Sequence, residues 1–382
     1  MTRTYDYIIA GSGCAGLSLA LQLSKSSLPF KRVLLIDQEQ KTKNDRTWCY
    51  WSHPDEDWYP HLNFRSWNQL VFRSEKISCD LNLGDQRYHM IRGADFYAYC
   101  HTELKKDGRF EHLQTTISGF ESEKNLALVQ TEAGRFAAPY IFNSALRHSD
   151  MRGHHVNFVQ HFKGWVVQTQ TPVFQSGVAT FMDFTVPQHG DCRFVYVLPF
   201  SANEALVEYT GFSRRPLSDA EYDEELARYL KTHLQTEQYQ IRETEKGVIP
   251  MYESRFINPY GPRIISIGTA GEASKASTGF TFYFIQLQVR SIVHLLQQGK
   301  WPKSDALRKR RFHLYDRILL KVLNARETSG DIVFSQLFMR NSASEILDFL
   351  NEKTSLVREL RIISTVPVLP FLKAAGRLLF RR

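Results

Sequence analysis

The first forty residues constrain this chain most: a short apolar strand, a glycine-rich turn, a helix, and a second strand that ends on an acid. Residues 6–10 read DYIIA, an almost uninterrupted apolar run of the kind buried on both faces of a parallel sheet. The run enters Gly11-Ser12-Gly13-Cys14-Ala15-Gly16, and residues 17–23 continue as an apolar helix. Residues 32–36 form the second strand, with Asp37 lying 21 positions beyond Gly16. The three glycines act differently. Gly11 permits the tight turn, Gly13 lets the backbone approach a pyrophosphate, and Gly16 allows close helix–strand packing. The helix N-terminus offers free N–H groups and the positive end of its dipole to phosphate. Asp37 is placed to accept hydrogen bonds from ribose hydroxyls. Gly-x-Gly-x-x-Gly alone is a weak signal, but within one βαβ unit it predicts a dinucleotide site.

A second glycine segment narrows the cofactor. Residues 263–268 (RIISIG) again run from a strand into glycine and lead through Gly268-Thr269-Ala270-Gly271-Glu272-Ala273 to Ser277-Thr278-Gly279 and a helix over about 280–298. The segment resembles the late glycine motif of flavoproteins of the aromatic-hydroxylase and isoprenoid-reductase kind, which lies near the flavin ring and ribityl chain. It departs from them in carrying Thr269 where an acid usually follows the first glycine. Two such motifs bracketing one domain imply FAD. The expected cofactor contacts are Gly11, Gly13, Gly16, Asp37, Arg46, Gly268, Gly271, Thr278 and Gly279.

Between the motifs the pattern changes. Residues 88–106 read as a helix, followed by short strands around 127–129 and 140–142. Residues 158–211 alternate, are rich in Phe, Val and Tyr, and break at Gly and Pro, which predicts an antiparallel sheet. A charged helix is expected over 219–234, and the last eighty residues read as helical. The expected fold is α/β: an FAD-binding Rossmann domain of the glutathione-reductase/aromatic-hydroxylase type, with an inserted antiparallel β-sheet substrate domain and a helical C-terminal region. The boundaries follow as 1–60, 80–155 and 245–300 for the discontinuous FAD domain. Residues 61–79 and 156–244 form the substrate domain, and 301–382 the basic, helical tail.

Asn44-Asp45-Arg46-Thr47-Trp48-Cys49-Tyr50-Trp51 is similar to the NDRTWCFW segment of bacterial lycopene β-cyclases. Residues 181–184 (FMDF), 194–199 (FVYVLP), 206–210 (LVEYT) and 275–280 (KASTGF) fall in that family's order and spacing. The resemblance spans about residues 5–300. It implies cyclisation of lycopene or a related linear carotenoid to β-rings, without net redox change, with reduced FAD as the active form and NADPH as its reductant. Many relatives carry two adjacent acids where this chain has Glu208-Tyr209, so a mechanism needing both does not carry over. The alternatives at this stage are an FAD-dependent isoprenoid reductase or hydroxylase, or a membrane-docked flavin-binding protein without catalysis.

Cyclising a polyene needs a proton donor in a dry pocket. Glu208 lies in an apolar strand and shares a face with Leu206 and Thr210. On a buried face its pKa rises, because desolvation disfavours the carboxylate, and a neutral carboxyl can donate a proton. If the opposite face is the buried one, Glu208 is solvated instead. Asp183, within residues 181–184, has the same ambiguity and is assigned as helper or alternate on an adjacent strand. Trp48, Tyr50 or Trp51 are candidates for cation–π support.

Composition excludes several classes. The five cysteines include no Cys-x-x-Cys pair, so neither a disulfide framework nor a zinc site is expected, and the histidines make no metal pattern. The adjacent His154-His155 read as structural or surface residues. No Gly-x-Ser-x-Gly elbow suggests a hydrolase. The start, MTRTYDYIIAG, lacks a signal-peptide layout, so a cytoplasmic protein is expected. The longest apolar tail segment, 362–372, is interrupted by Pro367 and Pro370 and falls short of the ~18–20 residues that span a bilayer. Residues 301–382 hold 16 Lys/Arg against 8 Asp/Glu, which accounts for the whole formal charge of +8. Such a region attracts anionic surfaces. No nucleic-acid motif accompanies it, so the expected partner is an anionic membrane bound peripherally. Val366, Leu369, Phe371, Leu378 and Phe380 could enter the interface beside Lys373, Arg377, Arg381 and Arg382; the alternative is that the tail packs on the protein's own body.

Overall fold

The computed structural model describes residues 2–145, 158–251, 258–304 and 309–380. A two-residue strand β1 (Arg3–Thr4) precedes β2 (Tyr7–Ala10), helix α1 (Cys14–Ser24) and β3 (Val33–Asp37). Strands β4 (Thr47–Ser52), β5 (Arg65–Trp67), β6 (Gln69–Arg73), β7 (Ser78–Asn82) and β8 (Arg87–Arg92) follow, then α2 (Gly93–Asp107). Next come β9 (Phe110–Gln114), β10 (Ile117–Ser122), β11 (Ala127–Thr131), β12 (Gly134–Ala138) and β13 (Tyr140–Asn143). The central section holds the long strands β14 (Val159–Thr169), β15 (Val178–Asp183), β16 (Cys192–Pro199) and β17 (Glu204–Ser213), then α3 (Asp219–Thr232) and β18 (Tyr239–Pro250). After β19 (Ile264–Ser266) the chain is helical: α4 (Phe282–Gln297), α5 (Arg310–Ala325), α6 (Gly330–Arg340), α7 (Ala343–Leu350), α8 (Leu356–Ile363) and α9 (Val368–Phe380).

The strands buried on both faces, such as Val33–Asp37 (VLLID), assemble into the parallel sheet β19-β13-β2-β3-β9. Helix α1 packs on it together with α2 and α4. The alternating strands build a larger sheet, β18-β14-β17-β16-β15-β6-β7, antiparallel except where β15 runs parallel to β6. One face is covered by α3, whose Tyr222, Leu226 and Tyr229 join Val195 and Val207 in a core. A capping box at Ser218 and Glu221 fixes the start of that helix. The other face meets the C-terminal helices through Phe181, Phe194, Phe334 and Phe338. This is the expected α/β architecture.

Two local expectations fail. The helix expected over 88–106 begins only at Gly93, because residues 87–92 form β8, which pairs with β4 on one edge and β5 on the other. Pairing on both sides overrides a local helical pattern. The domain boundary at 244/245 falls inside β18, whose ladder with β14 continues to Pro250, and β7 runs past 79 to Asn82. The adjacent His154-His155 lie outside the described residues. The five cysteines form no disulfide. Among the described residues no His/Cys/Asp/Glu group is placed to hold a metal, and no helix is long and apolar enough to cross a membrane.

Candidate active site

A cavity of about 710 Å³ begins at Gly11 and Gly13, passes Asp37, Arg46 and Trp48, and ends against Glu208. Its first part is the turn between β2 and α1. Gly11 has φ +97°, a conformation that L side chains rarely adopt, and its N–H donates to the Ile36 carbonyl at 2.7 Å. A Cβ on Gly16 would lie 1.9 Å from the Gly11 carbonyl oxygen, so α1 can start this close to the turn only with glycine there. A Cβ on Gly13, by contrast, would meet no protein atom within 4 Å. Gly13 caps α1 without a side-chain hydrogen bond, and no acid sits in the first turn, so the positive helix end faces the cavity uncompensated. Asp37 Oδ2 accepts from the Ser12 N–H at 2.6 Å and from the Ser12 hydroxyl at 3.1 Å.

The second glycine segment supplies the cavity's other wall. Thr269, Thr278 and Gly279 line it, whereas Gly268 and Gly271 do not. Those two serve packing: a Cβ on Gly268 would lie 2.6 Å from the Ala15 Cβ, and one on Gly271 2.2 Å from the Ser266 carbonyl oxygen. The Thr278 hydroxyl and Gln160 Oε1 are buried without a hydrogen-bond partner among the described residues, and both residues line the cavity. Buried polar atoms are almost always satisfied. A glycine turn with space at Gly13, an uncapped helix end and two orphaned polar atoms therefore fit a bound dinucleotide.

The far end is built from the large sheet. Glu208 shares its face with Leu206, as alternation predicts, and points inward. Its neighbours across the ladder are Tyr196 on β16 and Gly164 on β14. The Thr210 hydroxyl donates to Glu208 Oε1 at 2.9 Å. Burial, and then the carboxylate of Glu245 on β18, push the Glu208 carboxyl well above the ordinary range, which favours its protonated form. Tyr88, Tyr196 and Phe280 complete this apolar end.

Asp183 is not part of it. Asp183 pairs with Val195 on β16, and Val195 with Tyr209 on β17. Directly opposed residues share a face and successive residues alternate, so Asp183 lies on the face opposite Glu208. There the Tyr229 hydroxyl donates to it at 2.9 Å, the Thr185 N–H at 3.0 Å, and Arg73 stands 3.7 Å away. It anchors α3 to the sheet. Tyr50 and Trp51 also lie outside the cavity: the Tyr50 hydroxyl donates to Asp57 at 2.7 Å and the Trp51 indole to the Leu347 carbonyl at 2.9 Å. Trp48 alone of the three lines the cavity, stacked on Phe282. Sequence reasoning missed Tyr88, Tyr196, Gln160 and Glu245, which are brought together by pairing between strands far apart in the chain.

A family model described as Lycopene cyclase protein matches residues 6–376. Among curated proteins, a lycopene beta-cyclase of Paracoccus sp. (strain N81106 / MBIC 01143) is 26% identical, over 96% of this chain and 95% of that one. A lycopene beta-cyclase of Pantoea ananas is 27% identical over 60% of this chain and 56% of its own. Among solved structures, a geranylgeranyl bacteriochlorophyll reductase-like protein of Thermoplasma acidophilum superposes with TM-score 0.66 at 14% identity, covering 98% and 96% of the two chains. The halogenase PltM, in complex with phloroglucinol and FAD, superposes with TM-score 0.58 at 15% identity over 99% and 93%. These structures share the fold, and the match along the sequence decides the family: the chain belongs to the lycopene cyclases.

Proposed function

We propose that the protein is a flavoprotein lycopene β-cyclase, closing the linear ends of lycopene or a related carotenoid into β-rings. The observation that carries this reading is Glu208: a buried carboxyl, its pKa raised by that burial, at the apolar end of a cavity that starts at a dinucleotide-type glycine turn. Gly11, Gly13, Asp37, Arg46, Thr278 and Gly279 would hold FAD, reduced at the expense of NADPH. Bound reduced flavin supplies fixed negative charge beside the developing cation.

The chain's own residues do the rest. The Glu208 O–H bond breaks as a C–H bond forms at the terminal alkene, and the neighbouring double bond closes the ring on the resulting cation. A ring C–H bond then breaks, its electrons form the new alkene, and the proton returns to a base. Atoms and electrons balance, so the product is an isomer of the substrate. The aromatic faces of Trp48, Tyr88 and Tyr196 border the cavity and favour a passing cation. The apolar wall keeps water from trapping it.

Expression in cells that accumulate lycopene, followed by chromatography and mass spectrometry of the pigments, tests the reading. Cyclic products of unchanged mass are expected. Products two mass units heavier identify a reductase, and products sixteen units heavier a hydroxylase.

A water-insoluble substrate calls for a lipid-facing surface, and α8 and α9 offer one. Val357, Leu360, Leu369 and Leu372 are exposed, with Arg358, Arg361, Lys373 and Arg377 interspersed. Helix α9 is 13 residues long, about 20 Å at 1.5 Å per residue, well short of the ~30 Å hydrocarbon core. It suits an interfacial position. The outward set differs from the one expected from sequence: Val366 is in the core, and Phe371 packs against it. The mode proposed is reversible docking on anionic lipid, each juxtamembrane Lys or Arg contributing about 1 kcal/mol.

A further inference from the structure

The acid end of the cavity holds a second glutamate that no local motif marks. Glu245 on β18 and Glu208 on β17 flank the same residue, Gly164, on the strand β14 between them. Residues directly opposed across a ladder share a face. The two glutamates therefore project side by side, two strand spacings or roughly 10 Å apart at their backbones. Two glutamate side chains can close that gap only if nothing stands between. A Cβ at position 164 would lie 3.4 Å from the Glu208 Cβ, 3.2 Å from the Glu245 Cγ and 2.9 Å from the Leu206 Cδ1. With glycine at 164 no side chain stands between them, so the two buried carboxyl groups face each other across the strand, and the Glu245 carboxylate raises the pKa of Glu208.

Two neighbouring carboxyls buried together repel when both are ionised, which favours a proton on one of them. The surroundings decide which. Burial raises the Glu245 carboxyl as well, but Thr47 and the Arg46 guanidinium work against that rise and favour its charged form. Its Oε1 is buried and receives no N–H or O–H among the described residues. Glu208 receives one hydroxyl, from Thr210. Thr47 and Arg46 thus favour charge on Glu245, which leaves Glu208, the member that lines the cavity, as the better holder of the proton.

We propose that Glu208 and Glu245 form a single proton-sharing acid, in which Glu245 is the positioning residue that keeps Glu208 protonated and aims its proton. This deepens the cyclase reading and rests on it for the substrate. When Glu208 gives up its proton, two carboxylates face the new cation in a low-dielectric pocket, an arrangement disfavoured in the resting state and favourable only while the cation exists. The proton lost from the ring restores the resting pair. The other titratable groups facing the pair are Cys49, Tyr88 and Tyr196, all kept neutral by burial, and Arg46; Tyr222 senses Glu208 from across the sheet.

The experiment uses the full-length, flavin-loaded protein. Infrared difference spectroscopy across a pH series reads the carboxylic C=O band without any turnover, and lycopene conversion in detergent is followed over the same pH range. The wild type is expected to keep a protonated carboxyl band above pH ~7, since burial and a like charge both raise the pKa of a carboxyl. Glu208→Gln should abolish that band. Glu245→Gln should move its loss, and the alkaline limb of the activity, down by about one pH unit or more, and lower kcat roughly ten- to hundred-fold with little change in KM. Glu245→Gln with the wild-type pH profile and kcat overturns the pair, as does a wild type without a carboxyl band at neutral pH, a result that holds even if Glu245→Gln fails to fold. A band that behaves as described in a protein making no cyclic carotenoid sinks the cyclase reading and leaves the pair standing.

Discussion

Glu208 is the carboxyl proposed to carry the acid chemistry. Burial and its glutamate neighbour raise its pKa, and the same shift has a sign in stability. A carboxyl with a folded pKa above its unfolded value of ~4.3 contributes fully at pH below that value, and the contribution is lost as pH rises through the folded pKa. Melting temperature should therefore carry a loss as pH rises from ~4.3 through the raised folded pKa, and a smaller one in Glu208→Gln; equal slopes in calorimetry would contradict the assignment. The same variant should keep its fold and flavin while turnover drops by roughly 10²–10⁴. Asp183→Asn is the contrast. Its carboxylate accepts from Tyr229 and Thr185 on the other face, so the variant should lower stability and leave the pH profile of catalysis in place. At the opposite end of the cavity, Gly13→Val puts a side chain where the backbone now leaves space. Purified Gly13→Val protein should lack the flavin absorbance that the wild type shows.

Elements are tied to the site by a buried ion cluster. The turn bearing Thr278 and Gly279 is closed by the Lys275 carbonyl, which accepts from Thr278 N at 3.1 Å and Gly279 N at 2.7 Å. Lys275 Nζ in turn sits 2.9 Å from Asp316 on α5 and 3.4 Å from Glu352 just after α7, and Ser277 donates to Asp316 at 2.6 Å. Lys275 is only 2% exposed. The cluster fastens the cofactor turn to the C-terminal helices. Removing one partner of a buried pair leaves uncompensated charge and costs about 3–5 kcal/mol, far more than an exposed pair. Lys275→Met should lose that much in denaturant-induced unfolding at neutral pH. A loss below about 1 kcal/mol, the range of an exposed pair, would show that the cluster is not holding the turn.

For the whole molecule, the packing of the C-terminal helices and their proposed docking on lipid must be tested separately. Ile362, Val366 and Ala374 are buried, so deleting the tail would open the core. Val357, Leu360 and Leu369 are 79%, 63% and 71% exposed and can be replaced without touching it. The triple replacement Val357→Ser, Leu360→Ser, Leu369→Ser should keep the wild-type melting temperature and lose most of its co-sedimentation with anionic vesicles. Wild-type binding should weaken as salt shortens the Debye length below ~8 Å. Unchanged sedimentation of the triple variant would place the docking surface elsewhere. Arg377 pairs with Glu327 at 2.6 Å and Arg361 with Glu345, so Arg358 and Lys373 are the cations better placed to meet phosphates.

What the sequence determined by itself is local. The strand–turn–helix of residues 7–24, Asp37, the strand that carries Glu208 and the helical tail follow from glycine placement, apolar runs and alternation within short windows. Those patterns act through the backbone and nearest neighbours, so a short stretch of chain contains their cause. What only the tertiary structure decided is which strands lie side by side. Residues 88–92 became a strand because β4 and β5 pair with it, Asp183 turned away from Glu208 because of the register of β15 on β16, and Glu245 reached Glu208 because Gly164 separates them. A register shift of one residue reverses every side chain of a strand, and that register is set by packing against partners dozens of positions away.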